Sequence, residues 1–440
     1  MKKAYIIRII IASIILILSI LAIFGLMYPI KIMDLQFTTL FEKIFYSFSF
    51  SALLLFALLL IVTFVFGRVY CSILCPFGIL QEAFDIFYKK IGRKKKKNPP
   101  HKNYKYKYII AFVFFSTLLG GSTVLIKYID PYTIFSNAFS FSLIGIILSA
   151  LVLILVFYKN RFFCTNICPV GAILGLISRY SIFKIAMDKP SCASCGVCAR
   201  SCPSGCIDIK GGKIDNEMCI KCFKCVRVCP TNSIVYYKAE QKTKKKPKKS
   251  KKTQFNPTRR EALIGLGALS AFGALVAIGV SFSKNMASKI KNIILPPGAV
   301  NANRMANKCL NCNLCINNCP TKILTKANKD FGAVHIDFSK GKGYCEYNCN
   351  NCGKVCPTGA IKPLNIGDKQ MTRIAISTIN KDACKKCGNC EVVCPTGAIT
   401  KDDKGNYAVD GIKCIGCGQC KTVCSENAIT VIPVSEQNLI

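Results

Sequence analysis

Twenty-four of the 29 cysteines fall into six groups of four, each confined to a dozen residues or fewer. Packing alone does not place thiols this way. Cysteines so crowded either ligate metal or crosslink, so the sulfur chemistry dictates the local fold. Cys192, Cys195, Cys198 and Cys202 precede Pro203, and Cys219, Cys222, Cys225 and Cys229 precede Pro230. Cys309, Cys312, Cys315 and Cys319 precede Pro320, and Cys384, Cys387, Cys390 and Cys394 precede Pro395. All four groups read C-x2-C-x2-C-x3-C-P. Cys345, Cys349, Cys352 and Cys356 have one extra residue after the first cysteine. Cys414, Cys417, Cys420 and Cys424 are followed by Ser425 in place of proline.

Structural zinc favours two separated Cys-x-x-Cys hairpins over four thiolates in one short run. Disulfides belong to oxidising compartments, whereas the charge pattern of the chain puts the first two groups in a reducing one. Iron–sulfur chemistry fits both halves. The repeated motif is the run found in bacterial two-cluster ferredoxins, where three thiolates wrap one cubane and the fourth reaches the cubane of a partner group. Six groups thus predict six [4Fe–4S] clusters in three crossed pairs. Cys192, Cys195 and Cys198 pair with Cys229, and Cys219, Cys222 and Cys225 with Cys202. Cys309, Cys312 and Cys315 pair with Cys356, and Cys345, Cys349 and Cys352 with Cys319. Cys384, Cys387 and Cys390 pair with Cys424, and Cys414, Cys417 and Cys420 with Cys394. Hairpin signals at 207–214 and 402–409 predict small α+β units built around the clusters. Cys206 stands where the later repeats have Ala360 and Ala398, so it reads as a small packing residue.

A mean hydropathy of +0.36 alongside 60 Lys and Arg requires apolar and basic residues to be segregated. Five apolar runs, 9–30, 44–67, 108–126, 131–158 and 262–283, approach or exceed the length that crosses a hydrocarbon core. Basic residues cluster before the first run, at 68–107 between the second and third, and at 238–260. The positive-inside rule then places the amino terminus in the cytoplasm and the carboxy-terminal domain outside it. The basic tracts read as linkers that touch anionic lipid. No aromatic-interleaved basic fold accompanies them, so nucleic acid is not an expected partner. Two histidines, His101 and His335, are too few for haem arrays, and no flavin or nucleotide motif occurs. Thr258-Arg259-Arg260 ahead of the fifth run resembles a twin-arginine export signal, with Ala262 and Ile264 departing from that pattern.

The expected fold is an α-helical membrane bundle, four spans plus a fifth anchor, carrying small α+β two-cluster ferredoxin-like modules. The expected domains are a four-span membrane domain at 1–180 and a cytoplasmic two-cluster module at 185–237. A polybasic linker at 238–260, an anchor at 261–284 and an extracytoplasmic four-cluster domain at 295–440 follow.

The remaining cysteines form two matched pairs, Cys71 and Cys75 in RVYCSILCPFG, and Cys164 and Cys168 in RFFCTNICPVG. Each follows an even-numbered apolar run, which places both at the cytoplasmic membrane face. Four thiolates there make a second redox or metal site, either converging on one metal or cluster or acting as redox dithiols.

These motifs, with four apolar runs and a following two-cluster module, resemble the H-type membrane ferredoxin subunit of periplasmic nitrate reductase systems and the methylamine-utilisation N protein. The part from about 255 to 430 resembles the G-type partner, or methylamine-utilisation M type, through Leu295-Pro-Pro-Gly-Ala299 and four cluster motifs. The chain thus resembles a fusion of two subunits. The resemblance implies a multi-pass protein of the cytoplasmic (inner) membrane that oxidises membrane quinol, acts as a quinol dehydrogenase component, and passes electrons to a periplasmic reductase or redox carrier. Two other readings stay open: a maturation factor for a periplasmic metalloenzyme, and a relay fed by cytoplasmic ferredoxin.

Overall fold

The computed structural model describes residues 2–26, 33–47, 49–90, 106–158, 161–238, 259–289, 292–326 and 333–438. The basic tracts at 91–105 and 239–258, together with Lys31, His101 and Thr258, lie outside the described residues. The chain divides into two units. One comprises Met1–Ile20, Leu35–Gly120 and Leu125–Ile278, and the other Leu21–Asp34, Gly121–Val124 and Gly279–Ile440.

The first unit is helical up to Arg179. Its opening helix, Lys2–Ile23, has 22 residues. Among the described residues, Lys3–Ile23 is the one helix long and apolar enough to cross a membrane unaided. The other expected spans are interrupted. The second is divided into Phe37–Ser47 and Phe50–Phe66. The third stops at Leu119 and resumes as Val124–Ile129. The fourth bends by 119° between Pro131–Phe139 and Leu143–Phe157. A regular four-span bundle is therefore corrected, among the described residues, to one helix long and apolar enough to cross unaided, with the next three runs broken or bent. The causes are local. Gly120 and Gly121 release the third helix, where Gly121 has φ +83°. Phe141, between Ser140 and Ser142, takes φ +55° at the bend. Ahead of that bend, Asp130 starts the helix Pro131–Phe139 by accepting the Thr133 N–H, with Pro131 in the first turn. The fifth run lies within one helix, Arg259–Lys289.

After the helices the first unit closes with a small sheet module. Phe183–Met187 pairs antiparallel with Ile234–Lys238, and Ile207–Asp208 pairs with Lys213–Ile214. Two five-residue helices, Val197–Ser201 and Lys224–Val228, carry Cys198 and Cys225 inward. The core mixes Ile185, Met187, Ile207, Val226 and Ile234 with cysteines of both groups. In the second unit Leu324–Lys326 pairs with Val334–Ile336, Ile399–Lys401 with Tyr407–Val409, and Ala375–Ile379 with Ile429–Pro433. Both expected hairpins are present. The strand pairs that precede the first motif and follow the second, 183–187 with 234–238 and 375–379 with 429–433, were not anticipated.

Candidate metal centres

The cysteine loops share a backbone signature. In five of the six groups the residues just before and just after the second cysteine have positive φ: Ser194 and Gly196, Lys221 and Phe223, Asn311 and Asn313, Lys386 and Gly388, Gly416 and Gly418. A left-handed conformation costs an L-residue about 1–2 kcal/mol, so its recurrence at Ser, Lys, Phe and Asn marks a functional constraint. Alternating left- and right-handed residues turn successive N–H groups into a concavity that suits an anionic centre. The Cys345 group differs: between 345 and 356 no residue has positive φ. There the buried Lys369 ammonium donates to the carbonyls of Glu346 and Tyr347, the latter at 3.0 Å. A lysine anchor holds the loop with the extra residue.

Four small cavities are lined by cysteines. One takes Cys309, Cys312, Cys315 and Cys356, and a second Cys319, Cys345, Cys349 and Cys352. A third takes Cys384, Cys387, Cys390 and Cys424. The fourth takes Cys202, Cys206, Cys219, Cys222 and Cys225. In each, three thiols come from one motif and one from its partner. For the remaining two sets the contacts are electrostatic. Burial pushes the Cys198 thiol up, and Cys229, Cys192 and Cys195 add to it. Burial likewise raises Cys420, with Cys414 and Cys394 among the neighbours that add to it. Burial drives Cys312 and Cys222 up to about 12 and Cys345 to about 11. Thiols so placed ionise together only against compensating cationic charge, which the iron of a cubane supplies. The donors around them suit bound thiolates: the N–H of Ala398 reaches Cys394 Sγ at 3.3 Å and that of Ile361 reaches Cys356 Sγ at 3.4 Å.

Two features escaped the sequence reading. Cys206 is buried in the core, as its alignment with Ala360 and Ala398 implies, but its sulfur also lies 3.5 Å from Cys202 Sγ in the cavity wall. Contact with Cys206 also draws Cys219 down to about 6. A thiol hydrogen on a ligand sulfur raises a cluster's reduction potential. Cys206→Ala should therefore keep full iron content and move this cluster's midpoint to a more negative value in an EPR-monitored redox titration. An unchanged midpoint would return Cys206 to packing. The second feature is continuity. The N–H of Cys345 donates to the Cys417 carbonyl at 2.8 Å, so the two cysteine pairs of the second unit abut.

The paired CxxxCP motifs interlock. Arg68 Nη2 donates to the Cys164 carbonyl at 3.2 Å, and Arg161 Nη1 donates to the Cys71 carbonyl at 2.8 Å. Each motif's arginine therefore grips the other motif's first cysteine. The two copies stand 93 residues apart, and so do Arg68 and Arg161, and Gly78 and Gly171. A Cβ on Gly78 would come within 2.7 Å of the Cys71 carbonyl, and one on Gly171 within 2.5 Å of the Cys164 carbonyl. Glycine is required at both for the close approach. Arg68 was counted among the topology charges of a basic loop, yet its side chain is 0% exposed. Lys107, counted likewise, is buried against Glu217 at 2.6 Å. Cys75, Cys164 and Cys168 are all raised by burial, and each feels Cys71 as a neighbour. Among the described residues no three His, Cys, Asp or Glu side chains stand close enough to hold a single metal ion. That holds equally for the cysteine cavities, because a cubane spreads its thiolates over four corners.

Loops, cavities and donors of this kind define a ferredoxin-type iron–sulfur protein that holds several clusters. Comparison with known proteins agrees. Models described as 4Fe-4S dicluster domains match residues 215–323, 308–360 and 383–429. A 4Fe-4S binding domain matches 189–205, and another matches twice, at 48–98 and 141–190, once over each CxxxCP motif. The 215–323 match joins the second motif to the third, whereas the cavities join Cys219 to Cys202 and Cys309 to Cys356. An uncharacterised protein of Methanocaldococcus jannaschii is 32% identical over 152 residues, 33% of this chain and 54% of that protein. The methylamine utilization ferredoxin-type protein MauN of Paracoccus denitrificans is 29% identical over 143 residues, 31% of this chain and 48% of its own. Protein NirI of the same organism is 30% identical over 159 residues, 34% of this chain and 23% of its own. The chain thus spans about half, or less, of the length of these relatives.

Proposed function

We propose that this chain is a membrane-embedded electron-transfer protein that oxidises a quinol of the menaquinol type and delivers the electrons to an acceptor outside the cytoplasm. The carrying observation is the grouping of helix ends with cluster modules. The module at 185–237 belongs to the unit containing the CxxxCP motifs. The four-cluster region at 295–440 belongs with 21–34 and 121–124, the far ends of the first and third helices. That division follows the charge pattern, which puts 68–107 inside and 21–34 outside. The helices also carry a bare apolar shell suited to lipid, including Ile7, Ile14, Ile17, Leu54, Ile61 and Leu151, each at least half exposed.

In this reading six cubanes, when bound, supply the one-electron chemistry. The protein's own residues fix their order and wetness. Cys345 and Cys417 join the two pairs of the second unit into one relay. Cys387 is exposed, so the set with Cys384, Cys390 and Cys424 is the face presented to an acceptor. The fusion of H-type and G-type subunits fits this arrangement, as does the extracytoplasmic place of the carboxy-terminal domain. MauN supports the ferredoxin-type part by its description. The test is reduction in proteoliposomes: a menaquinol analogue should bleach the cluster absorbance near 400 nm, and an acceptor added outside should restore it. Clusters that stay oxidised under excess quinol, while dithionite still reduces them, would remove quinol as the donor.

A further inference from the structure

The charges around the CxxxCP cysteines do not balance. Arg8, Arg68 and Arg161 are all buried, and the carboxylate they have between them is Glu82. Glu82 pairs with Arg8 and Arg161, whereas Arg68 contacts backbone carbonyls and the Cys71 sulfur, at 3.7 Å. The neighbouring Lys107–Glu217 and Lys224–Asp85 pairs match one cation to one anion and leave the excess unchanged. The Nε atoms of Arg68 and Arg161 and the amide nitrogen of Gln81 are buried without a partner. Asp130, buried and close enough to act on Cys75, is a further carboxylate beside the site, so one to two guanidinium charges stay in excess. Such an excess cannot stay buried among neutral thiols or disulfides, since an uncompensated buried charge costs several kcal/mol, and the site calls for up to two negative charges. Four thiolates around an oxidised [2Fe–2S] or [4Fe–4S] core supply that number, because the core carries two positive charges and the thiolates four negative ones.

We infer that Cys71, Cys75, Cys164 and Cys168 jointly hold one further iron–sulfur centre, shared between the two CxxxCP motifs, with Arg68 and Arg161 as its charge-compensating positioning residues. Each motif brings two thiolates, too few for a cluster alone, and the reciprocal arginine contacts lock the two halves together. Cys168 is the cap of the helix Pro169–Arg179, and its sulfur accepts the Gly171 N–H at 3.3 Å, a donor suited to a thiolate. A mononuclear tetrathiolate ion would balance the charge as well, but the side chains are too far apart for one. Arg68 also bridges onward. Its Nη1 donates to the carbonyl of Glu217, two residues before Cys219, at 3.1 Å. The new centre therefore neighbours the cluster set of Cys219. Its role rests on the electron-transfer reading, but its existence does not.

The experiment counts iron and acid-labile sulfide in the full-length protein purified in detergent, with Mössbauer spectroscopy to identify core types. Six cubanes account for about 24 iron atoms. The expected result is an excess of two iron for a [2Fe–2S] core or four for a [4Fe–4S] core. Cys71→Ala with Cys164→Ala should lose that excess alone. Arg68→Gln should move the midpoint of this centre to a more negative value, and Arg68→Lys should largely restore it, which a purely structural arginine would not do. A wild-type count with no excess over the six cubanes overturns the proposal without needing any variant. That outcome leaves quinol-driven reduction of the six clusters possible, so the two failures are distinguishable.

Discussion

Glu82→Leu should destabilise the first unit by about 3–5 kcal/mol, because it leaves two buried guanidiniums without their counter-ion. The Glu82 carboxylate receives Arg8 Nη1 at 2.8 Å and Arg161 Nη2 at 2.8 Å. Arg8 belongs to the opening helix and Arg161 to the second CxxxCP motif. One carboxylate therefore ties three distant segments, and its loss frees all of them together. Arg8 also donates to the Ser72 carbonyl at 2.9 Å, so the opening helix is pinned to the first motif through the same side chain. In a unit this size the loss corresponds to a melting shift of roughly 6–20 °C, read by circular dichroism of the detergent-solubilised protein. Glu82→Gln keeps an acceptor and the shape and should cost less. Equal melting of wild type and the leucine variant would show that the triad contributes no stability.

The same triad has a pH signature. Burial alone would raise the Glu82 carboxyl, but the hydrogen bond from Arg8 and the charges of Arg161 and Arg8 outweigh it, and the carboxyl is held below its usual value. A lowered folded-state value means the stabilisation is complete above the unfolded value of about 4.3 and disappears as pH falls through the folded one. Between neutrality and pH about 5 the contribution should be flat, and below pH about 4 it should decline. The leucine variant should lack that component of the acid transition.

What the sequence made legible follows from where the chemistry is local. Cluster motifs are set by spacing within a dozen residues, so Cys192 to Cys202 and its repeats could be read directly as candidate ligands, and the four cysteine-lined cavities follow the same grouping. The same is true of the hairpins at 207–214 and 399–409, whose turn residues lie between the strands. Hydropathy failed on the helices because it averages over about 20 residues. It does not register Gly120–Gly121 or the positive φ of Phe141, either of which ends a helix inside an apolar run. The network around Arg68 was hidden for another reason. Its partners are backbone carbonyls at Cys164 and Glu217, far away in the chain, and carbonyls leave no sequence mark. The signal that could have found it is the 93-residue repeat, which aligns Arg68 with Arg161 as well as the cysteines.

Crossed ligation makes a prediction that single substitutions cannot mimic. Cys319 follows the Cys309 motif in sequence but lines the cavity of Cys345, Cys349 and Cys352. Cys312 and Cys319 therefore line different cavities although they share a motif, and crossed ligation assigns them to different clusters. Cys319→Ala should remove about four iron atoms, and Cys312→Ala about four others. Combining Cys319→Ala with Cys349→Ala, two ligands of one cubane, should lose no more iron than either alone. Combining Cys319→Ala with Cys312→Ala should lose about twice as much. This is a double-mutant cycle with iron content as its readout, and it is decisive because independent sites add whereas shared ones do not. The opposite pattern, additive with Cys349→Ala and saturating with Cys312→Ala, would mean that each motif ligates its own cluster. Crossing also has a folding consequence. Each cubane staples two segments of chain, since metal affinity is folding free energy in domains with so little other core. Loss of either cluster should then loosen the strand pair Leu324–Lys326 with Val334–Ile336 that lies between the two motifs, which hydrogen exchange would detect as faster exchange at the Ile336 and Asp337 amides, bonded to Ile294 and Ile323 carbonyls at 2.7 and 2.9 Å.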